Sequence, residues 1–241
     1  MATDVLSSNI LFVDIETVTA EKNYDQLSPV IQRAWNRKAE FFRESDTKTP
    51  AQLFGERAAL YAEFGKIISV AIGYFHALDE KRNELRIKCI TDPEESVVLH
   101  EFDETVQRFD QDRLRLCAHN GRDFDYPYLC RRMLIHGIKL PKSLQLMNKK
   151  AWEVPHLDTM EMWKFGEYKK FVPLDLLAAL FSVEVDSGKL LDASDIQRLY
   201  YQEENLDKLV QSGYQNIRLL AQVYLAMLSQ PLLPDELITE V

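Results

Sequence analysis

The stretch Asn9-Ile-Leu-Phe-Val-Asp-Ile-Glu-Thr-Val18 sets two acids into an otherwise apolar run. Ile10 to Val13 is continuously apolar, as a central strand covered on both faces would be. Side chains two positions apart on a strand share a face, so Asp14 and Glu16 point the same way. Two carboxylates on one face of a buried strand are costly unless something offsets their desolvation. A hard divalent cation such as Mg²⁺ or Mn²⁺ does so. A strand that has already reached its solvated end would explain the pair equally simply. Leu-Phe-Val before the acids and Val18 after them favour the buried reading.

The remaining pattern builds a sheet with helices. Ser28-Pro29 predicts a helix start, running to about Arg43, and a second helix is expected over about 50–64. Gly65 to Phe75 is β-branched and apolar, and Leu85 to Ile90 alternates, so the two read as an antiparallel pair joined by a turn holding Asp79, Lys81 and Asn83. Helical periodicity covers Glu94 to Phe109. Leu114 to Ala118 reads as a short buried strand, followed by a turn and a helix from about Phe124 to His136, ended by Gly137. After a mostly irregular stretch, His156 to Asp158 is a short strand. Helices over Leu174–Phe181 and Ser194–Tyr200 precede a long amphipathic helix from about Asn205 to Leu228, with Pro231 and Pro234 closing the chain. No repeat or Gly/Ser-rich linker divides the 241 residues, so residues 1–241 are expected to form one domain.

Composition narrows the class. With 46% hydrophobic and 28% charged residues the chain is ordinary globular material. Cys89, Cys117 and Cys130 are an odd count without CxxC spacing, which argues against a disulfide framework or a thiolate zinc site and for a reducing, cytoplasmic setting. The histidines show no zinc spacing either. No apolar run has bilayer length. Met1 to Asn9 lacks a basic segment and carries Asp4, so no signal peptide is expected. A net charge of −9 argues against an indiscriminate nucleic-acid coat protein, though not against an enzyme that grips a few nucleotides locally.

A second acidic position lies in Ala118-His-Asn-Gly-Arg-Asp-Phe-Asp-Tyr-Pro-Tyr-Leu129. Here a strand ends, a turn follows, and Asp125 falls in the first turn of a helix. That is a good place for a carboxylate as a cap, and it would equally present the acid to a metal beyond the strand end.

Phe-Val-Asp-Ile-Glu-Thr resembles the first motif of the DEDD exonucleases, and Asn120-x-x-x-Phe124-Asp125 resembles their second. The wider text is similar to the small exonucleases related to the proofreading domain of family-B DNA polymerases. The supporting stretches are Glu63-Phe-Gly-Lys-Ile-Ile-Ser-Val, Trp152-Glu-Val-Pro-His-Leu-Asp-Thr-Met-Glu-Met-Trp-Lys-Phe-Gly and Leu219-Leu-Ala-Gln-Val-Tyr-Leu. The resemblance implies an α/β ribonuclease H-like fold, with a mixed central sheet and flanking helices. It also implies removal of nucleotides from the 3′ end of a single-stranded nucleic acid, with DNA repair as a setting. Two divalent ions, Mg²⁺ or Mn²⁺, would be held by Asp14, Glu16 and Asp125. Asp14 would bridge the ions, Glu16 would hold one and orient the attacking water, and Asp125 would bind the other.

The third motif of that family, Tyr-x-x-x-Asp, falls on Ser212 and Asn216. Asn216 is the fourth catalytic position, but a neutral amide is a poorer ligand for a hard dication than a carboxylate. Serine lacks the phenol that orients water in the family. Tyr214 and Arg218 have the right spacing, yet arginine cannot bind a metal. Asp207 lies on the opposite helix face, Glu204 is too far along the axis, and Gln211 stands where a histidine version would need His. A metal-dependent 3′–5′ exonuclease with impaired activity is therefore expected, the alternative being a nucleic-acid-binding pseudo-exonuclease. The opening also superficially resembles the D-x-D-x-T start of an aspartyl-phosphate phosphatase, but convincing downstream lysine and paired-aspartate motifs are missing. A protein-interaction module without a ligand is a further alternative.

From Tyr126 to Trp152 there are no acids, while Arg131, Arg132, Lys139, Lys142, Lys149 and Lys150 are present. This is either a solvated helix face with a polar loop or a phosphate track. With Asn120 and Phe124, the residues Arg131, Arg132, Lys149 and Lys150 form the candidate nucleic-acid contacts. Lys164, Lys169 and Lys170, interleaved with Trp163, Phe165, Tyr168 and Phe171, could stack on a single strand; core packing is the simpler reading of those aromatics. His119 is expected to position its neighbours, Asp158 to cap a helix, and Cys117 and Cys130 to fill the core.

Overall fold

A computed structural model describes residues 9–79, 82–167 and 171–241. Six strands form one mixed sheet: β1 (Ile10–Thr19), β2 (Gly65–Ala77), β3 (Asn83–Thr91), β4 (Arg115–Ala118), β5 (Leu157–Asp158) and β6 (Ile238–Glu240), in spatial order β5-β4-β1-β2-β3-β6. β1, β2 and β3 pair antiparallel, while β4, β5 and β6 join in parallel. Eight α-helices accompany the sheet among the described residues: α1 (Pro29–Ala39), α2 (Pro50–Arg57), α3 (Glu95–Gln107), α4 (Asp125–Ile135), α5 (Thr159–Trp163), α6 (Leu174–Leu180), α7 (Ala193–Arg198) and α8 (Leu206–Met227).

β1 is central and its two faces serve two cores, as its alternation requires. Leu11, Val13 and Ile15 pack with Leu99 and Phe102 of α3 and Leu129 and Met133 of α4. Ile10 and Phe12 pack with Ile217, Leu220 and Tyr224 of α8. Asp14 and Glu16 continue the second face, so they look toward α8. The register shifts between Glu16 and Thr17, an irregularity of the kind that re-aims side chains at functional strand ends.

α8 lies close against β2. A Cβ on Gly73 would come 2.5 Å from Cγ2 of Ile217, and one on Gly213 would come 2.9 Å from Cβ of Ala71. This approach lets a short side chain on α8 reach the sheet.

Several boundaries differ from the periodicity. The first predicted helix stops at Ala39 and the second at Arg57. Ala58–Leu60 then tightens into a 3₁₀ turn, and the Ala59 carbonyl accepts from Thr17 Oγ1 at 2.9 Å and Tyr128 Oη at 3.0 Å. An α-helix continued through Ala59 would have used that carbonyl internally. α7 runs into a π-helical turn, Leu199–Glu203, before α8. The chain does not end at its prolines: β6 adds to the edge of β3, three residues being too few for a pattern. The predicted turn residue Lys81 lies outside the described residues. No described helix is long and apolar enough to cross a membrane.

Candidate active site

The face of β1 turned to α8 carries the site. Asn216 sits nearly three turns into α8, and its Nδ2 donates to Oδ2 of Asp14 at 3.0 Å and to Oε1 of Glu16 at 3.4 Å. Asp125, at the first position of α4, accepts the Ile15 backbone N–H on Oδ1 at 3.2 Å. Asp14, Glu16, Asp125 and Asn216, spread over most of the chain, thus meet around the middle of β1.

Burial governs the electrostatics. It pushes the Asp14 carboxyl up to about 6, against the opposing pull of the Asn216 hydrogen bond. Glu16 is raised well above its ordinary range by burial and then by the charges of Asp14 and Asp125. Asp125 is raised by burial and by Asp14, while the backbone N–H groups it accepts pull it down. None of the three has a salt bridge among the described residues. Such a cluster of like charge in a low-dielectric setting lacks a counter-charge.

The donor set suits a hard dication: buried carboxylate oxygens with no competing cation. The fourth corner does not contribute charge, because Asn216 faces the acids with its N–H donors. Among the described residues no group of three or more His, Cys, Asp or Glu is already arranged around one point as a metal cluster. The carboxylates are turned toward the amide and the Ile15 N–H instead. By chemistry the three carboxylates are candidate ligands for a divalent ion, but as placed they do not enclose one point, and the set has one carboxylate fewer than four acids would give.

Ser212, one turn before Asn216, is fully buried and its Oγ has no hydrogen-bond partner among the described residues. Of the other third-motif neighbours, Arg218 is held by Asp235 at 2.8 Å and by the Glu184 carbonyl at 2.9 Å.

The second-motif loop is built on Asp158. Its carboxylate accepts the N–H groups of Asn120 and Arg122, each at 3.0 Å, and caps α5 through Met160 and Glu161. This allows Asn120 its left-handed backbone, φ 66°. Phe124 packs on Tyr128, ring centroids 5.3 Å apart. His119 bridges Thr159 Oγ1 and the Val172 carbonyl. Sequence reasoning reads Asp158 only as a cap; the two extra N–H groups come from a loop 36 and 38 residues away.

The basic segment divides. Arg132 is not free for phosphate: its guanidinium is turned inward onto Glu95 and donates to the Ala62 carbonyl at 2.9 Å. The same Glu95 accepts from the Ile67 N–H and pairs with His136, so Arg132 compensates a buried acid. Arg131 is exposed, with Glu63 4.0 Å away. Lys149 is exposed, and Lys150 lies over the Trp152 ring at 5.1 Å. Lys142 pairs with Asp112. Of the interleaved aromatics, Trp163 packs on Phe181, but Phe165 and Phe171 are 88% and 70% exposed and are not core residues. Tyr168, Lys169 and Lys170 lie outside the described residues.

A mixed sheet carrying acids on its central strand, with a third acid at a helix start and a long helix across the same face, is the architecture of a ribonuclease H-like, exonuclease-like domain. The chain belongs to the family described as "Predicted 3'-5' exonuclease related to the exonuclease domain of PolB", which it matches over residues 59–227. In fold it is similar to the family B DNA polymerase of the hyperthermophilic archaeon Pyrobaculum calidifontis, with a TM-score of 0.56 at 15% sequence identity. That likeness covers 91% of this chain and 24% of the polymerase. No curated protein sequence matches the chain.

Proposed function

We propose that residues 1–241 form one domain that binds the 3′ end of a single-stranded nucleic acid over the face between β1 and α8, and that it acts as a metal-dependent 3′–5′ exonuclease of reduced capacity. The observation that carries this reading is the meeting of Asp14, Glu16 and Asp125 around a neutral Asn216. Asp14, Glu16 and Asp125 would hold Mg²⁺ or Mn²⁺. Such ions, when bound, supply a nucleophilic water and neutralise charge on the phosphoryl group. Asn216 orients the Asp14 and Glu16 carboxylates through its two donated bonds. It adds no charge of its own, and Ser212 offers no phenol to orient water. Asn120, Phe124, Arg131, Lys149 and Lys150 are the exposed or half-buried groups available to a strand; Arg132 is not. The free cysteines support a cytoplasmic setting.

The test is a 5′-labelled single strand incubated with the protein and Mn²⁺ or Mg²⁺. Slow shortening from the 3′ end, faster with Mn²⁺ and abolished in Asp14→Ala, is the expected result. A pseudo-exonuclease is the second reading, favoured by the neutral Asn216 amide, which donates to both Asp14 and Glu16 where a carboxylate would add charge. Binding of the strand with no shortening in either metal would select it.

A further inference from the structure

At the start of β1, before the acids, lies a cavity of about 870 Å³. It opens at Ile10, four residues before Asp14, or about 13 Å along a strand rising ~3.3 Å per residue. β4 contributes Arg115, the preceding turn Asp112 and Arg113, and the irregular stretch before β5 contributes Lys142 and Lys149. Its floor is apolar, from Ile10, Leu114, Leu157 and Met162, with Tyr224 and Leu228 from the end of α8.

The charge of this cavity is anomalous for the chain. The protein has a net charge of −9, yet four cations and a single acid line the space. The acid is used up, because Asp112 pairs with Lys142. Arg113, Arg115 and Lys149 have no ion-pair or side-chain hydrogen-bond partner among the described residues. Arg57, Arg82, Arg86, Arg132, Arg198 and Arg218 are each matched by a carboxylate, whereas Arg33, Arg37, Arg43, Arg108 and Arg122 have no carboxylate partner among the described residues; what marks this cavity is that two unmatched arginines share one lining. The Tyr224 hydroxyl is likewise without a partner among the described residues, on a ring 5% exposed and packed on Phe12. Arg115 is near enough to act on its titration. The C-terminal end of α8 brings partial negative charge here, so any attraction for an anion comes from the side chains.

Unpaired guanidinium groups match phosphate oxygens in geometry as well as charge. The volume falls in the range of about 300–1,000 Å³ typical of small-ligand sites, which combine an apolar lining with a few convergent polar groups. We propose that this cavity is a second site, separate from the acidic one, that takes a phosphate-bearing nucleoside. Arg113 and Arg115 hold the phosphates, Tyr224 donates its hydroxyl, and the apolar floor receives the nucleoside. The phosphate chemistry is shared by a free nucleotide and by the backbone of a nucleic-acid strand, and the experiment separates the two.

Calorimetric titration with ATP and, separately, with a twelve-nucleotide single strand is done in EDTA, so that no divalent ion bridges phosphate to Asp14, Glu16 and Asp125. ATP is expected to bind in the micromolar range. Arg113→Glu with Arg115→Glu should weaken it at least tenfold while leaving the far-UV spectrum and melting temperature near those of the parent. Arg115→Lys should weaken it only a few-fold. Asp14→Asn with Asp125→Asn should leave it unchanged. If only the strand binds, with the same dependence on the arginines, its backbone is the source of the phosphates and the site stands. No binding of either probe overturns the proposal, as does binding indifferent to the arginine pair. Strand shortening plays no part in this readout, so a failure here leaves the exonuclease reading untouched, and the reverse also holds.

Discussion

Asn216 and Asp14 are joined by a 3.0 Å hydrogen bond across 202 positions of sequence. Through it a neutral side chain on α8 stands beside two acids of β1. The bond is local compensation: it lowers a carboxyl that burial raises. It also leaves the site one charge short of four acids.

Asn216→Asp should therefore act in opposite directions with and without metal. In EDTA the change removes two donated bonds and adds a like charge, and loss of about 1–3 kcal/mol of stability is expected. With Mn²⁺ the variant should be stabilised more than the parent and should shorten single strands faster. Thermal melts in EDTA and in Mn²⁺, read beside a 3′-end degradation assay, check both halves. Ser212→Tyr is a harsher change, because Ser212 is fully buried and a ring needs space there.

Metal itself should stabilise the unaltered protein. A ligand that binds only the native state at a hundred times its Kd adds about 2.7 kcal/mol. Mn²⁺ should raise the melting temperature more than Mg²⁺, and Asp14→Ala should remove most of the rise. An equal rise in Asp14→Ala would place the ions elsewhere.

Glu95 and Arg132 form a buried pair that anchors α3 and α4 to the start of β2. Removing one partner leaves the other charge buried, so Arg132→Met should cost about 3–5 kcal/mol in urea unfolding. Glu95 sits below its ordinary carboxyl range, burial being outweighed by the hydrogen bonds from Arg132 and Ile67 together with the charge of Arg132. Its contribution is thus present above about pH 4.5 and is lost as the pH falls through its lowered value. If this pair were only a surface contact, the urea midpoint would barely move.

His156 gives a second pH dependence. Its Nδ1 accepts the Leu116 N–H at 3.2 Å, which requires the neutral ring. Burial pushes its pKa down to about 4, so the unfolded chain takes up a proton near pH 6.5 that the folded one refuses. Stability is complete above about pH 6.5 and falls toward pH 4, by about 3 kcal/mol in all. His156→Asn keeps an acceptor and should flatten this part of the pH–stability curve in urea titrations between pH 4 and 7.

Gly213→Ala tests how closely α8 must lie. The added methyl would meet Cβ of Ala71 at 2.9 Å and Sγ of Cys89 at 3.0 Å. Neither can swing aside as a long chain end does, so a loss of about 1–3 kcal/mol is expected. A helix-propensity gain would be seen instead if the contact were loose.

Local patterns settle what depends on local geometry. The period of β1 puts Asp14 and Glu16 on one face, the turn before α4 puts Asp125 in a first helical turn, and the amphipathic run over α8 marks a helix that must cover the sheet. The mid-helix glycine at 213 is a sequence sign of close approach, though not of what is approached. Only the folded chain decides partners. Arg132 looks in sequence like one more cation of a basic segment, yet it is committed to Glu95, 37 residues away. Glu95 reads as an ordinary acid at a helix start. The lining of the basic cavity comes from both ends of the chain and three stretches between them, which no spacing rule connects. β6 is too short to have a period at all. Periodicity follows from bond geometry along a few residues, whereas pairing follows from burial: an acid or a cation taken from water binds whichever opposite group the fold brings to it.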